Sequence, residues 1–143
     1  IEEVITLTKS ETKEIAKSIE RVGFEGELEI TTNPTILTQI IFNLIINAAQ
    51  AIKEHNNDCR KKSIVIKMTK VDANVEISVI DDGPGVQAEH VSAIFRPFFT
   101  TKESGTGLGL SICQNLAYQL GTKIDFKNNS PLLGATFSIN LPC

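Results

Sequence analysis

The chain has 143 residues, a formal net charge of −3, and 41% hydrophobic against 22% charged residues. This is the profile of one soluble globular domain, large enough to bury its own core. The acidic balance argues against nucleic acid as the main partner, since a phosphate backbone calls for a basic face, and Arg60, Lys61 and Lys62 read as a short solvated loop.

Residues 2–20 predict an amphipathic helix, with Val4, Leu7, Ile15 and Ile19 spaced along one face. Gly23 and Gly26 end it, and residues 27–31 predict a short strand. Asn33-Pro34 marks a helix start, with Asn33 suited to the N-cap and Pro34 to the first turn. That helix runs to His55, with Leu37, Ile40, Ile41, Leu44, Ile45, Ala48 and Ile52 forming a wide buried face. Residues 63–71 and 74–80 alternate as strands around Asp72-Ala73, which predicts a hairpin. After the turn DDGPG, residues 87–95 predict a short helix, 96–106 irregular chain and 107–120 an apolar helix. Residues 122–127 and 135–141 predict two further strands joined by NNSPLLG. The fold expected is α/β, a two-layer sandwich with helices packed on one face of a mixed sheet.

No apolar run nears the ~20 residues of a membrane span, and no signal peptide is legible. A start at Ile1 rather than methionine predicts a piece of something longer. Cys59, Cys113 and Cys143 make no ligand pattern and read as reduced thiols, and His55 and His90 read as isolated surface histidines.

The chemistry is written in four places. In FFTTKESGTGLGLSI, Gly105, Gly107 and Gly109 alternate ahead of an apolar helix. A dinucleotide-binding βαβ unit would need a buried strand before them, and IFRPFFTTKES carries a proline and charges instead. No GxxxxGK[ST] occurs, so the P-loop fails too. The glycines still allow close backbone approach, and a helix starting near Leu108 offers free N–H groups to phosphates. Thr106 and Ser111 add hydroxyls, and Lys102 lies on the approach; a tight packing loop is the plain alternative.

Asn43 and Asn47 stand one turn apart on a very apolar helix, where buried amides need partners. Those partners are either core groups or a hard cation such as Mg²⁺ facing their carbonyl oxygens. In VEISVIDDGPGV, Asp81 continues the inward face of Val75, Ile77 and Val79. A buried carboxylate there needs a donor, which an adenine amino group supplies and guanine does not. Asp82 points the other way and reads as solvated, while Gly83 and Gly85 turn the chain beneath the base. Phe95, Phe98 and Phe99 bunch in an irregular stretch, as a lid anchored by its rings or as plain core packing.

In this order the segments resemble the ATP-binding catalytic domain of sensor histidine kinases, a family related to gyrase B, Hsp90 and MutL. NLIINAAQA resembles its N box, DDGPG its first glycine box, FRPFFTTK its F box, GTGLGLSI its second glycine box, and GATFSINLP its closing strand. The resemblance spans about residues 35–142 and implies a Bergerat-type sandwich holding Mg-ATP under a lid. It implies Mg²⁺ on Asn47, with Asn43 assisting, and the adenine amino group on Asp81. Gly83 and Gly85 would shape the base pocket, and Gly105, Gly107, Leu108 and Gly109 would hold the lid end and the phosphates. Thr106 and Lys102 complete the expected nucleotide contacts.

The hydrolysing relatives place a glutamate general base at position 43, so Asn43 suits an enzyme that keeps its γ-phosphate for another acceptor. Some features depart from the commonest pattern: Gln50 stands where a lysine or arginine is frequent, Thr32-Asn33 replaces Gly-Asp, and Ala135 stands where a threonine is common. Residues 1–143 are therefore expected to be a single catalytic domain of a protein-histidine kinase, not autophosphorylating in isolation. Its phosphoacceptor helical domain is expected upstream, in a homodimeric parent, with a response regulator as further partner and no nucleic acid or direct membrane contact. The expected location is cytoplasmic, whether or not the parent is anchored in a membrane. The competing readings are a serine kinase of anti-sigma type and a nucleotide-gated interaction module with little transfer activity.

Overall fold

A computed structural model describes residues 3, 5–6, 18–23, 29–54, 63–101, 105–129 and 134–143. Their regular elements are β1 (Ser18–Gly23), α1 (Pro34–Glu54), β2 (Ser63–Val71), β3 (Asn74–Asp81), α2 (Gly109–Gln119), β4 (Ile124–Asn128) and β5 (Ala135–Pro142). The strands form one mixed sheet in the order β1-β2-β3-β5-β4; β1 runs parallel to β2 and the other neighbours are antiparallel. α1 lies over β3 and β2, α2 over β4, and the two helices pack on each other. This is the expected two-layer α/β sandwich.

α1 begins where its cap says it should. The Asn33 Oδ1 accepts the N–H groups of Thr35 and Ile36 at 3.0 and 3.2 Å, and Pro34 opens the first turn. Its buried residues, Ile40, Ile41, Leu44, Ile45, Ala48, Ala49 and Ile52, recur at three and four and so share one face. Opposite them stand Ile64 and Ile66 of β2, Val75, Ile77 and Val79 of β3, and Phe137, Ile139 and Leu141 of β5. The register pairs Ile66 with Val79, Val79 with Phe137 and Ile77 with Ile139, which places them on one face of the sheet. Each such aliphatic side chain contributes roughly 1.5–3 kcal/mol by leaving water. Contrary to the sequence expectation, α1 is long and apolar enough to cross a membrane by length and composition. In this fold its apolar face belongs to the core.

Three further expectations are corrected. Residues 18–23 form β1 instead of ending a helix over 2–20; Glu3, Ile5 and Thr6 are helical, with Ile5 buried. Parallel pairing from Ser18↔Ser63 to Gly23↔Met68 covers the edge of β2, and this long-range gain overrides the local 3.6-residue period. Of the strand expected over 27–31, residues 29–31 are irregular and 27–28 lie outside the described residues. Residues 87–95 form successive turns, not a helix: the N–H groups of His90, Ala93 and Arg96 donate to the carbonyls of Gln87, His90 and Ala93 at 2.8–2.9 Å. These bonds span three residues, not the four of an α-helix, so the segment is a run of turns. The hairpin and the last two strands lie within two residues of expectation. α2 is tied to β4 by Gln114, whose Oε1 accepts the Ile124 N–H at 2.7 Å while its Nε2 donates to the Ile124 carbonyl at 3.1 Å.

Candidate functional site

The residues of α1 turned away from the core form a second stripe: Asn43, Asn47, Gln50, Ala51 and Glu54. They line one wall of a cavity of about 610 Å³, within the range of ordinary small-ligand sites. The end of β3 and the loop after it supply Asp81, Pro84, Gly85, Val86 and Gln87. The turns and the F-rich stretch supply His90, Ile94, Phe99, Thr100 and Thr101. Gly105, Thr106, Gly107, Gly109 and Leu110 close it at the start of α2, with Ala135 and Phe137 beneath. Eight of the eleven residues singled out by sequence thus meet in one place: Asn43, Asn47, Asp81, Gly85, Gly105, Thr106, Gly107 and Gly109.

The remaining three divide. Gly83 is buried behind the wall, where its N–H donates to the Asp81 Oδ1 at 2.9 Å. Leu108 is the half-buried N-cap of α2 and does not line the cavity. Lys102 lies outside the described residues, as do His55, Cys59 and the basic run 60–62.

Asp81 is only 3% exposed, because strand alternation carries the inward face of Val75, Ile77 and Val79 through to it. Asp82 departs from expectation. It is half-buried, and its carboxylate accepts the Ser63 N–H at 3.0 and 3.1 Å, fixing the start of β2 to the end of β3. Asn43 touches both core and cavity. It lines the cavity and also hydrogen-bonds Cys113 of α2, so the core and ligand readings of this amide are compatible.

At the start of α2 the backbone does the work. Gly107 has φ +71°, and a Cβ there would collide with the backbone of Phe98. The loop therefore passes against the F-rich stretch at a distance only glycine allows. α2 has no acidic residue in its first turn and no side-chain cap at Leu108, which leaves its positive end facing the cavity. Thr106 Oγ1 accepts the Leu108 N–H at 3.4 Å. Ser111 does not contribute a hydroxyl to the cavity as expected; it is buried and donates to the Leu108 carbonyl at 2.9 Å.

The phenylalanines split as well. Phe95 and Phe99 pack against the core, whereas Phe98 has φ +64° and is 75% exposed. His90 is not a plain surface histidine: it is half-buried on the cavity wall with its ring 5.4 Å from that of Phe99. Glu54, Thr100 and Thr101 also escaped the sequence reading. The i, i+4, i+7, i+11 spacing of Asn43, Asn47, Gln50 and Glu54 was the available signal. Among the described residues lining the cavity, the charged side chains are Glu54 and Asp81, and none is lysine or arginine.

The chain matches the family of histidine kinase-, DNA gyrase B- and HSP90-like ATPases over residues 32–143. It is 41% identical over 114 residues to the sensor histidine kinase ZraS of Escherichia coli K12, covering 80% of this chain and 23% of that protein. It is 37% identical over 129 residues to the histidine-protein kinase AtoS of the same strain, covering 85% of this chain and 20% of that one. The chain thus spans less than a quarter of these curated relatives. The catalytic domain of histidine kinase ThkA superimposes with a TM-score of 0.81 at 30% identity, covering 99% of this chain and 88% of that structure. ThkA in complex with the response regulator TrrA gives 0.77 at 26% identity, covering 99% and 38%. The chain belongs to the histidine kinase-, DNA gyrase B- and HSP90-like ATPase family, in its sensor histidine kinase branch.

Proposed function

We propose that this chain is the module that binds Mg-ATP and presents its γ-phosphate to a histidine on a separate helical domain of the same parent protein. The observation that carries this reading is the meeting, in one cavity, of a buried acid, paired amides and an uncapped helix start. Asp81 accepts the adenine amino group, and Gly83 holds that carboxylate in place. Gly85 and Val86 shape the base wall between Asp81 and Ile94. The carbonyl oxygens of Asn47 and Asn43 are hard donors suited to Mg²⁺, which when bound supplies charge neutralisation for the phosphates. Gly105, Thr106, Gly107 and Gly109 bring backbone close to the triphosphate at the positive end of α2, where Leu108 holds the N-cap position without a side-chain cap, and Lys102 is the cation proposed for the phosphates.

Phosphoryl transfer asks chiefly for positioning and electrostatic stabilisation, and these residues offer both. Asn43 cannot take a proton from water at neutral pH, which favours retention of the γ-phosphate over hydrolysis. The acceptor histidine lies upstream in a homodimeric parent, and TrrA bound to ThkA supports a response regulator as the next recipient. The domain works on the cytoplasmic side, whether or not the parent is anchored.

Joining the chain to its parent's upstream segment and supplying labelled ATP tests the reading. Acid-labile label on a histidine is expected. Stable label on a partner's serine, or nucleotide binding without any label, would replace it with the anti-sigma or gated-module reading.

A further inference from the structure

The stretch NNSPLLG reads in sequence as a mere connection between strands, yet Asn128 at the end of β4 and Asn129 just after it hydrogen-bond the backbone of the site's wall. Asn128 faces the loop after β3 as a strand would. Its Oδ1 accepts the Val86 N–H at 2.8 Å and its Nδ2 donates to the Val86 carbonyl at 2.7 Å. Asn129 holds Asp81 through the main-chain carbonyl alone. The β3–β5 ladder stops at Ile80↔Thr136, and beyond it the Asn129 Nδ2 donates to the Asp81 main-chain carbonyl at 3.0 Å. The other end of that amide is also held, for its Oδ1 accepts the hydroxyl of buried Thr136 at 2.6 Å. Its own N–H donates to the Gly134 carbonyl at 3.0 Å. Gly134 has φ +119°, and a Cβ there would strike the Asp81 carbonyl, so the loop must pass this close without a side chain.

We infer that Asn128 and Asn129 are positioning residues for base recognition. Asn129 sets the backbone from which the Asp81 carboxylate projects, and Asn128 sets the Gly85–Val86 wall against which the purine lies. Neither side chain lines the cavity, so both act through another group. A carboxylate discriminates an amino group from a carbonyl only while its direction is fixed, because only then must the wrong base set its carbonyl oxygen against a carboxylate oxygen. A loosened Asp81 rotates away, and the distinction fades. This rests on the assignment of Asp81 to the purine amino group.

The test uses two probes, Mg-ADP and Mg-IDP, which differ in carrying an amino group or a carbonyl at the purine 6-position. Asn129→Asp keeps size and the Thr136 bond but replaces the donor that holds the Asp81 carbonyl. It is expected to cut the ADP-over-IDP affinity ratio about tenfold, the factor for one ordinary buried hydrogen bond. Asn128→Asp, which keeps only the bond from the Val86 N–H, is expected to lower the ratio less. Thermal midpoints are recorded alongside. If both nucleotides weaken equally, or not at all, so that the ratio stays put in both variants while Asp81→Asn collapses it, the inference is wrong and the site assignment stands. If Asp81→Asn leaves the ratio intact, the assignment beneath it fails.

Discussion

Cys113 shows how a single residue can look idle and still report on the site. Its thiol is fully buried beneath α1, donates to the Ile40 carbonyl at 3.9 Å and is hydrogen-bonded by the Asn43 side chain. Burial pushes the thiol up from 9.0 to about 11, with the Asn43 and backbone hydrogen bonds opposing that shift. The folded state thus keeps the proton longer than the unfolded chain does. The stability this contributes is complete below pH 9 and is lost as pH rises from 9 to about 11. Denaturant melts of the parent chain and Cys113→Ala across that window should diverge, the parent losing about 2 kcal/mol more. Parallel loss in both would show that the thiol is not linked to folding. Asn43 itself was legible in sequence as an amide needing partners, but not as one serving thiol and cavity at once. That outcome depends on how α1 and α2 pack, which no local pattern encodes.

Among the elements, those whose signals are local were readable. The hairpin of β2 and β3 announces itself by period-two alternation around Asp72-Ala73, and α1 by its cap and apolar stripe. β1 was misread because its reason for existing is the edge of β2, forty-odd residues away in sequence (Ser18↔Ser63). The site followed the same division. Asp81 could be placed from strand parity alone, while His90 and Asp82 were misjudged because turns and cross-strand partners set their surroundings. The cap of α1 offers an element-scale check. Asn33→Ala removes the acceptor for two N–H groups and should lower stability by about 1 kcal/mol. Asn33 does not line the cavity, so nucleotide affinity measured by calorimetry should hold. A variant with unchanged melting would mean that tertiary packing alone sets the start of α1.

At the scale of the whole molecule, the cavity presents acids and amides to what the proposal makes a highly anionic ligand. Among the described lining residues Glu54 and Asp81 are the charged groups, and Gln50 occupies the place where a cationic side chain is common in the resembling family. The unfavourable encounter of triphosphate with these carboxylates has to be offset by the open end of α2 and by a bound cation. Ligand that binds only the folded state raises its stability by about 2.7 kcal/mol at a concentration about 100 times Kd. Mg-ADP should therefore raise the thermal midpoint by several degrees, and chelating the metal at constant ADP should abolish most of that rise. GDP with Mg²⁺ should give almost none, because guanine sets a carbonyl oxygen where the Asp81 carboxylate would meet adenine's amino group. If ADP stabilises the chain equally with and without divalent cation, charge compensation comes from elsewhere, and Asn47 and Asn43 do not hold the metal.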